Sequence, residues 1–199
     1  MQVLKDEIRK NIHQSALAEF KDKGFRKSSM RGIAKRAGIT AGNLYRYFGS
    51  KEDLFHAVVS PAFERITELI KENRDFNFAG DYRHSSHLEY AVDRIAEIHG
   101  EFRDELLILI DGSRGTAYEK AKEQVINMFE KNIWGLLSKS WPEGVTGKRG
   151  FIAHVIAASY IEGLVTIMRH YEDDVKAVDA MAAFTSFLFE EYTKTRHPK

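Results

Sequence analysis

Ser28-Ser29-Met30-Arg31-Gly32-Ile33-Ala34-Lys35-Arg36-Ala37-Gly38-Ile39-Thr40-Ala41-Gly42-Asn43-Leu44-Tyr45-Arg46-Tyr47-Phe48-Gly49-Ser50-Lys51-Glu52-Asp53 is the stretch that decides the fold. It reads as two short helices joined by a tight turn, then the start of another helix. The Ser29 hydroxyl suits an N-cap, because it can accept a bond from an orphan backbone N–H. Ile33, Ala34 and Ala37 recur at helical spacing on one face. Gly38 stands where a helix commonly ends in a left-handed conformation. Thr40 suits the cap of the next helix, which turns Leu44 inward and leaves Ala41, Gly42, Asn43, Tyr45 and Arg46 on other faces. Small Ala34 lets the two helices cross closely. This is helix-turn-helix spacing, in which the second helix enters the DNA major groove.

Upstream, Leu4, Ile8, Ile12, Ala16 and Phe20 form an apolar stripe with Leu17 beside it, predicting a helix from about Val3 to Lys23. Gly24-Phe25 reads as a stop with an apolar residue folding back. The stripe has only the helix-turn-helix to bury against, so this helix is expected to complete a three-helix head. Downstream, Ser50 and Asp53 have capping-box spacing. Apolar positions from Leu54 to Ile70 continue a helix to about residue 72, with one bend expected at Pro61.

Composition narrows the class. The 199 residues carry no Cys, which excludes disulfides and thiolate metal sites. No apolar run is expected to span a membrane, and Met1–Glu7 lack the apolar core of a secretory signal. The expectation is a cytoplasmic protein without membrane association. The net charge of +1 hides an asymmetry: residues 1–56 hold 12 Lys/Arg against 6 Asp/Glu, and residues 57–199 hold 18 against 23. A basic head on a mildly acidic body is the electrostatic footprint of nucleic-acid binding.

Ile33-Ala34-Lys35-Arg36-Ala37-Gly38-Ile39-Thr40, Leu44-Tyr45-Arg46-Tyr47-Phe48 and Ser50-Lys51-Glu52-Asp53-Leu54 together resemble the DNA-binding signature of the TetR family of bacterial transcriptional regulators. Ala16, Phe20 and Gly24 sit where that family has first-helix residues. The detailed match covers about the first quarter of the chain; the remainder resembles the family in length and helical pattern. Gly32 departs from it, since the family often has an acidic residue there. The resemblance implies an all-α fold: a three-helix helix-turn-helix head (1–49) and a helical body (50–199) for effector binding and dimerisation. It implies a repressor released from a palindromic operator by a small molecule. The alternatives are a constitutive DNA-binding adaptor whose body binds a protein, and a ligand-binding or enzymatic helical protein with a vestigial head.

For double-stranded DNA, the expected contacts are Ser28, Ser29, Arg31, Thr40, Ala41, Gly42, Asn43, Tyr45, Arg46, Tyr47 and Lys51. Thr40, Tyr45 and Lys51 suit phosphates, while Asn43 and Arg46 suit base edges. Tyr47 is read as phosphate-facing and Phe48 as core, although both aromatics fit a core equally well. Arg36 either reaches the DNA backbone or is simply solvated. Polar and aromatic residues within the apolar faces of the body are the effector candidates: His99, Arg114, Tyr118, Trp134, His154, Tyr160 and Met168. Each has an alternative as ordinary core filling.

The body is expected to hold a loop over 73–86, two helices ending at Gly112, and a long helix capped by Thr116. A turn-rich connection should follow through Trp141-Pro142-Glu143-Gly144 and Gly147-Lys148-Arg149-Gly150, then two final helices over 151–171 and 175–193. Those last two are apolar over more than one stripe, which predicts burial on two sides and a homodimer interface. His84 and His87 have helical spacing but no acidic neighbours to complete a metal site. No nucleophile motif or phosphate loop is present, so neither cofactor nor catalysis is expected.

Overall fold

A computed structural model describes residues 2–75, 85–140 and 146–194. Its helices are α1 (Gln2–Lys27), α2 (Met30–Arg36), α3 (Ala41–Tyr47), α4 (Lys51–Asp75), α5 (Ser85–Leu107), α6 (Ala121–Ser140), α7 (Thr146–His170) and α8 (Asp174–Lys194). A π-helical turn, Ile108–Gly112, follows α5. The chain packs as two units. One comprises Met1–Glu64 and Asp104–Lys122, the other Arg65–Arg103 and Glu123–Lys199.

In the first unit, Ile12, Ala16 and Phe20 of α1 are buried as their spacing predicts. α1 breaks at Gly24, whose φ of 66° and ψ of 171° lie in a region open essentially to glycine alone. The break lets Phe25 turn back into the core. Phe20, Phe25 and Phe55 then meet, with edge-on contacts to Phe55 at centroid distances of 5.0 and 5.2 Å. Such pairs add about 0.5–1.5 kcal/mol beyond the area they bury.

The stripe of α1 is not covered by the helix-turn-helix alone, as the sequence suggested. Ile108, Leu109 and Ala121 join the same core. A Cβ added to Gly24 would lie 3.5 Å from Gly112 Cα, so backbone meets backbone there. Lys21 Nζ pairs with Asp104 Oδ1 at 2.7 Å.

α4 is a single helix running past Pro61 to Asp75, as expected. The two helices expected before Gly112 are both present, meeting at a break at Phe102 (φ −131°, ψ 19°) where the backbone is not helical. Other expectations need correction. Thr116 caps a turn rather than α6: its hydroxyl donates to Ser113 O at 2.7 Å and accepts from Tyr118 N at 3.0 Å. Residues 147–150 are helical, because glycine in a helix costs only about 1 kcal/mol. Of the expected loop, 73–75 close α4 and 85–86 open α5. Residues 76–84, including His84, and Trp141–Gly144 lie outside the described residues, as does the side chain of His87.

In the second unit, Ile133, Ala153 and Ala157 form a core with Phe129, Ile152 and Phe189 packed on it. Tyr160 stacks between Phe129 and Phe184, at 5.2 and 5.8 Å. Its hydroxyl bonds Thr185 Oγ1 at 3.0 Å. A Cβ on Gly163 would come 2.3 Å from Phe184, so the missing side chain admits that ring. Arg103 closes the end of α7 by donating to Met168 O and Tyr171 O at 2.8 and 3.1 Å. Contrary to the sequence reading, Gly150–His170 is long and apolar enough to cross a membrane by length and composition. Its packing with α8 through Tyr160, Gly163 and Thr185 gives that apolarity a core role.

Gly24→Ala should lower unfolding free energy by about 1–3 kcal/mol, the usual cost of a strained backbone region. Gly38→Asn should cost under about 1 kcal/mol: Gly38 has φ 67° with nothing within 4 Å of an added Cβ, and Asn tolerates left-handed backbone. Urea unfolding of both variants checks the difference.

Candidate nucleic-acid interface

α2 and α3 are seven residues each, too short to persist alone. Caps and packing define them. Ser29 Oγ accepts from Gly32 N at 3.1 Å and Thr40 Oγ1 from Asn43 N at 3.1 Å. Between them, Gly38 adopts φ 67° and Ile39 N–H reaches back to Ala34 O at 3.0 Å. Ser50 Oγ accepts from Asp53 N at 3.0 Å, starting α4. Leu44 is fully buried and anchors α3, and Phe48 is buried at its end.

The anchor leaves an outward face. Tyr45 is 52% exposed; Gly42, Arg46, Thr40, Ser29 and Arg31 are exposed as well, and Asn43 is partly so. Ala41 and Tyr47 are half-buried against the core. Two expected contacts are placed differently. Ser28 is buried, and its hydroxyl donates to Phe25 O at 2.7 Å. This bond turns Ser28 away from any surface a duplex could reach. Lys51 Nζ donates to Phe25 O at 2.7 Å and Ser28 O at 3.1 Å, and lies 4.2 Å from the Phe25 ring centroid. Two of its three donors therefore serve the head itself.

Sequence reasoning missed Glu19. It is 2% exposed on α1, with Oε1 2.7 Å from Lys23 Nζ and Oε2 3.0 Å from Arg36 Nε. Arg36 also pairs with Asp22, so it is neither simply solvated nor reaching outward. Burial pushes the Glu19 pKa up, but the hydrogen bonds and charges of Lys23 and Arg36 outweigh it and hold the carboxyl below its ordinary 4.5. A Cβ on Gly32 would fall 2.5 Å from Glu19 Oε1. The departure at Gly32 fits this arrangement, since an added Cβ would have to displace the α1 carboxylate. The signal was available: Glu19 lies within the buried stripe between Ala16 and Phe20.

The effector candidates divide between the units. Arg114 is exposed, and Tyr118 packs in the first unit with its hydroxyl 2.6 Å from His56 Nδ1. Burial, helped by Glu64, raises the Tyr118 pKa. The other five belong to the second unit. Trp134 and His154 are exposed there, with His154 Nδ1 2.9 Å from Glu130 Oε2. Tyr160 is buried, which pushes its pKa up to about 12 against the Thr185 hydrogen bond. Met168 is buried too. His99 is buried with Nε2 3.3 Å from Asp174 Oδ1, short of hydrogen-bond geometry. Burial lowers its pKa, Asp174 opposing and Arg103 assisting. Among the described residues no group of three or more acidic or His side chains could hold a metal.

Two short capped helices joined by a left-handed glycine, with the second showing a polar face outward, define a helix-turn-helix protein. Residues 12–58 match the family of bacterial regulatory proteins described as the tetR family. Over 60 residues the chain is 42% identical to the HTH-type transcriptional repressor KstR of Rhodococcus jostii, a match covering 30% of this chain and 28% of that protein. Over 132 residues it is 30% identical to the HTH-type transcriptional regulator UidR of Escherichia coli, covering 65% of each. The matched stretches thus span under a third of KstR and just under two thirds of UidR. The crystal structure of a TetR-family member from Streptomyces coelicolor A3 shares the fold, with a TM-score of 0.69 over 89% of each chain at 16% identity. The stretch over residues 12–58 is thus that of the TetR family of transcriptional regulators, and the rest of the chain shares the fold of its members.

Because the folded Glu19 pKa is depressed, its stabilisation is complete above the ordinary carboxylate range. It is lost as pH falls through the lower folded value. Melting temperatures from about pH 6 down to about pH 3 should therefore fall less steeply for Glu19→Gln than for the parent protein.

Proposed function

We propose that the chain is a DNA-binding transcriptional regulator, acting as a homodimeric repressor that leaves a palindromic operator when a small molecule binds its body. The observation that carries this reading is α3: Leu44 is fully buried while Tyr45 and Arg46 stand exposed on the other side of the same short helix. The DNA-binding head is the unit of Met1–Glu64 with Asp104–Lys122, rather than residues 1–49 alone, and the other unit is the effector and dimer body. Asn43 and Arg46 read base edges. Ser29, Arg31, Thr40, Tyr45, Tyr47 and the remaining donor of Lys51 settle on phosphates and sugars. Ala41 and Gly42 are short enough to let the helix approach the groove floor.

Dimerisation is assigned to α7 and α8, which expose large apolar residues: Phe151 at 70%, Phe187 at 69%, and Val155. A two-fold dimer presents two heads to two half-sites, and so reads a near-palindrome. The effector is assigned to the body, with buried His99, Tyr160 and Met168 its best-placed contacts. It acts by binding more tightly to a conformation unsuited to the operator; a coupling of about 1–3 kcal/mol is typical of such control. The protein works in the cytoplasm, where its operator is.

Fluorescence anisotropy with DNA flanking the protein's own gene, across a salt series, tests the reading. Specific binding that weakens steeply with salt supports it. Binding indifferent to sequence there and in selection from random duplexes overturns it. Arg46→Ala should weaken operator binding by about 1–3 kcal/mol and relax discrimination at one position of each half-site. Phe151→Asp with Phe187→Asp should sediment as a monomer and lose tight operator binding, whereas a dimer of unchanged affinity would place the interface elsewhere.

A further inference from the structure

We propose that the buried Glu19 carboxylate is the positioning residue of the helix-turn-helix, fixing the rotation of α2, and through it α3, against α1. The inference rests on the regulator reading for its consequence at DNA, and on the structure alone for the positioning itself.

A seven-residue helix cannot hold its own orientation. Its apolar contacts to α1 and α3, through Ile33 and Ala34, are non-directional. A carboxylate paired with a guanidinium is directional. Glu19 Oε2 meets Arg36 Nε at 3.0 Å in the last turn of α2. Its other oxygen is tied to Lys23 at 2.7 Å, so the carboxylate cannot follow α2 if that helix turns. Asn11 Nδ2, donating to Ala37 O at 2.9 Å, adds a second link from α1 just beyond the helix. Gly32 completes the arrangement, because a side chain there would collide with Glu19 Oε1. The carboxylate thus marks one rotational setting of α2.

The stability gained by ionising Glu19 does not by itself account for a charge at this buried position. Lys23 and Arg36 are half-exposed and keep water when Glu19 is removed, whereas Glu19 itself is almost wholly buried. An apolar residue in a buried ionic position often leaves a protein as stable as before, or more so. What the charge adds is a defined geometry.

Glu19→Leu therefore should keep or raise the melting temperature, yet reduce the ratio of operator to scrambled-duplex affinity by about tenfold or more. Amide exchange of α2 and α3 should quicken while that of α1 and α4 does not. Gly32→Glu in the same chain should restore neither readout, because the carboxylate it introduces reaches Arg36 at i,i+4 spacing within α2 and ties nothing to α1. Gly32→Glu alone should clash with Glu19 and lose discrimination. If Glu19→Leu fails to fold, Glu19→Gln takes its place for the discrimination and exchange readouts. Unchanged discrimination and unchanged exchange in the folded variant overturn the proposal. If the parent protein itself shows no sequence preference, the regulator reading has failed. The exchange pattern then decides the positioning role.

Discussion

The first unit depends on a chain reversal at Gly24. Only a residue without Cβ adopts its backbone angles cheaply, and the reversal performs two tasks at once. It returns Phe25 to the core, where it meets Phe20 and Phe55. It also strips one side of the chain bare, so that Gly112 can lie against it. The carbonyls of Phe25 and Ser28 are then presented to Lys51, which ties the start of α4 to the loop before α2. The helix-turn-helix is supported through this chain of contacts.

Local chemistry was legible in the sequence. Ser29, Thr40 and Ser50 all cap as their spacing implied, and Gly24 and Gly38 both take positive φ. Each depends on atoms within a few residues. The inward turn of Ser28, the occupation of Lys51 and the pairing of Arg36 depend on groups well removed in the chain, and a linear pattern does not reveal them. Glu19 is the instructive case. Its place among buried positions was visible, but its partner on α2 and the vacancy at Gly32 became meaningful only once two helices were set side by side. The addition of residues 104–122 to the first core was equally hidden, since nothing local links Leu109 to Phe20.

In the second unit the same limit applies to function. Residues chosen for mixed polar and aromatic character sort into buried ones with neighbours already in place, such as Tyr160 with Thr185, and exposed ones such as Trp134. Their chemistry was readable; their burial was not. Gly163 makes room for Phe184, as close helix packing requires.

The wall that residues 104–122 supply to the first core changes what counts as the portable piece of this protein. A fragment cut after residue 49 would keep α2 and α3 but lose Phe55, Ile108, Leu109 and Ala121 from its interior. The backbone of Gly24 would stand bare where Gly112 had covered it. Recombination that exchanges only the N-terminal segment between relatives would join a new α1 to an unmatched wall. A workable exchange carries two separated stretches together. The packed unit that holds the helix-turn-helix is thus discontinuous in the gene although continuous in space.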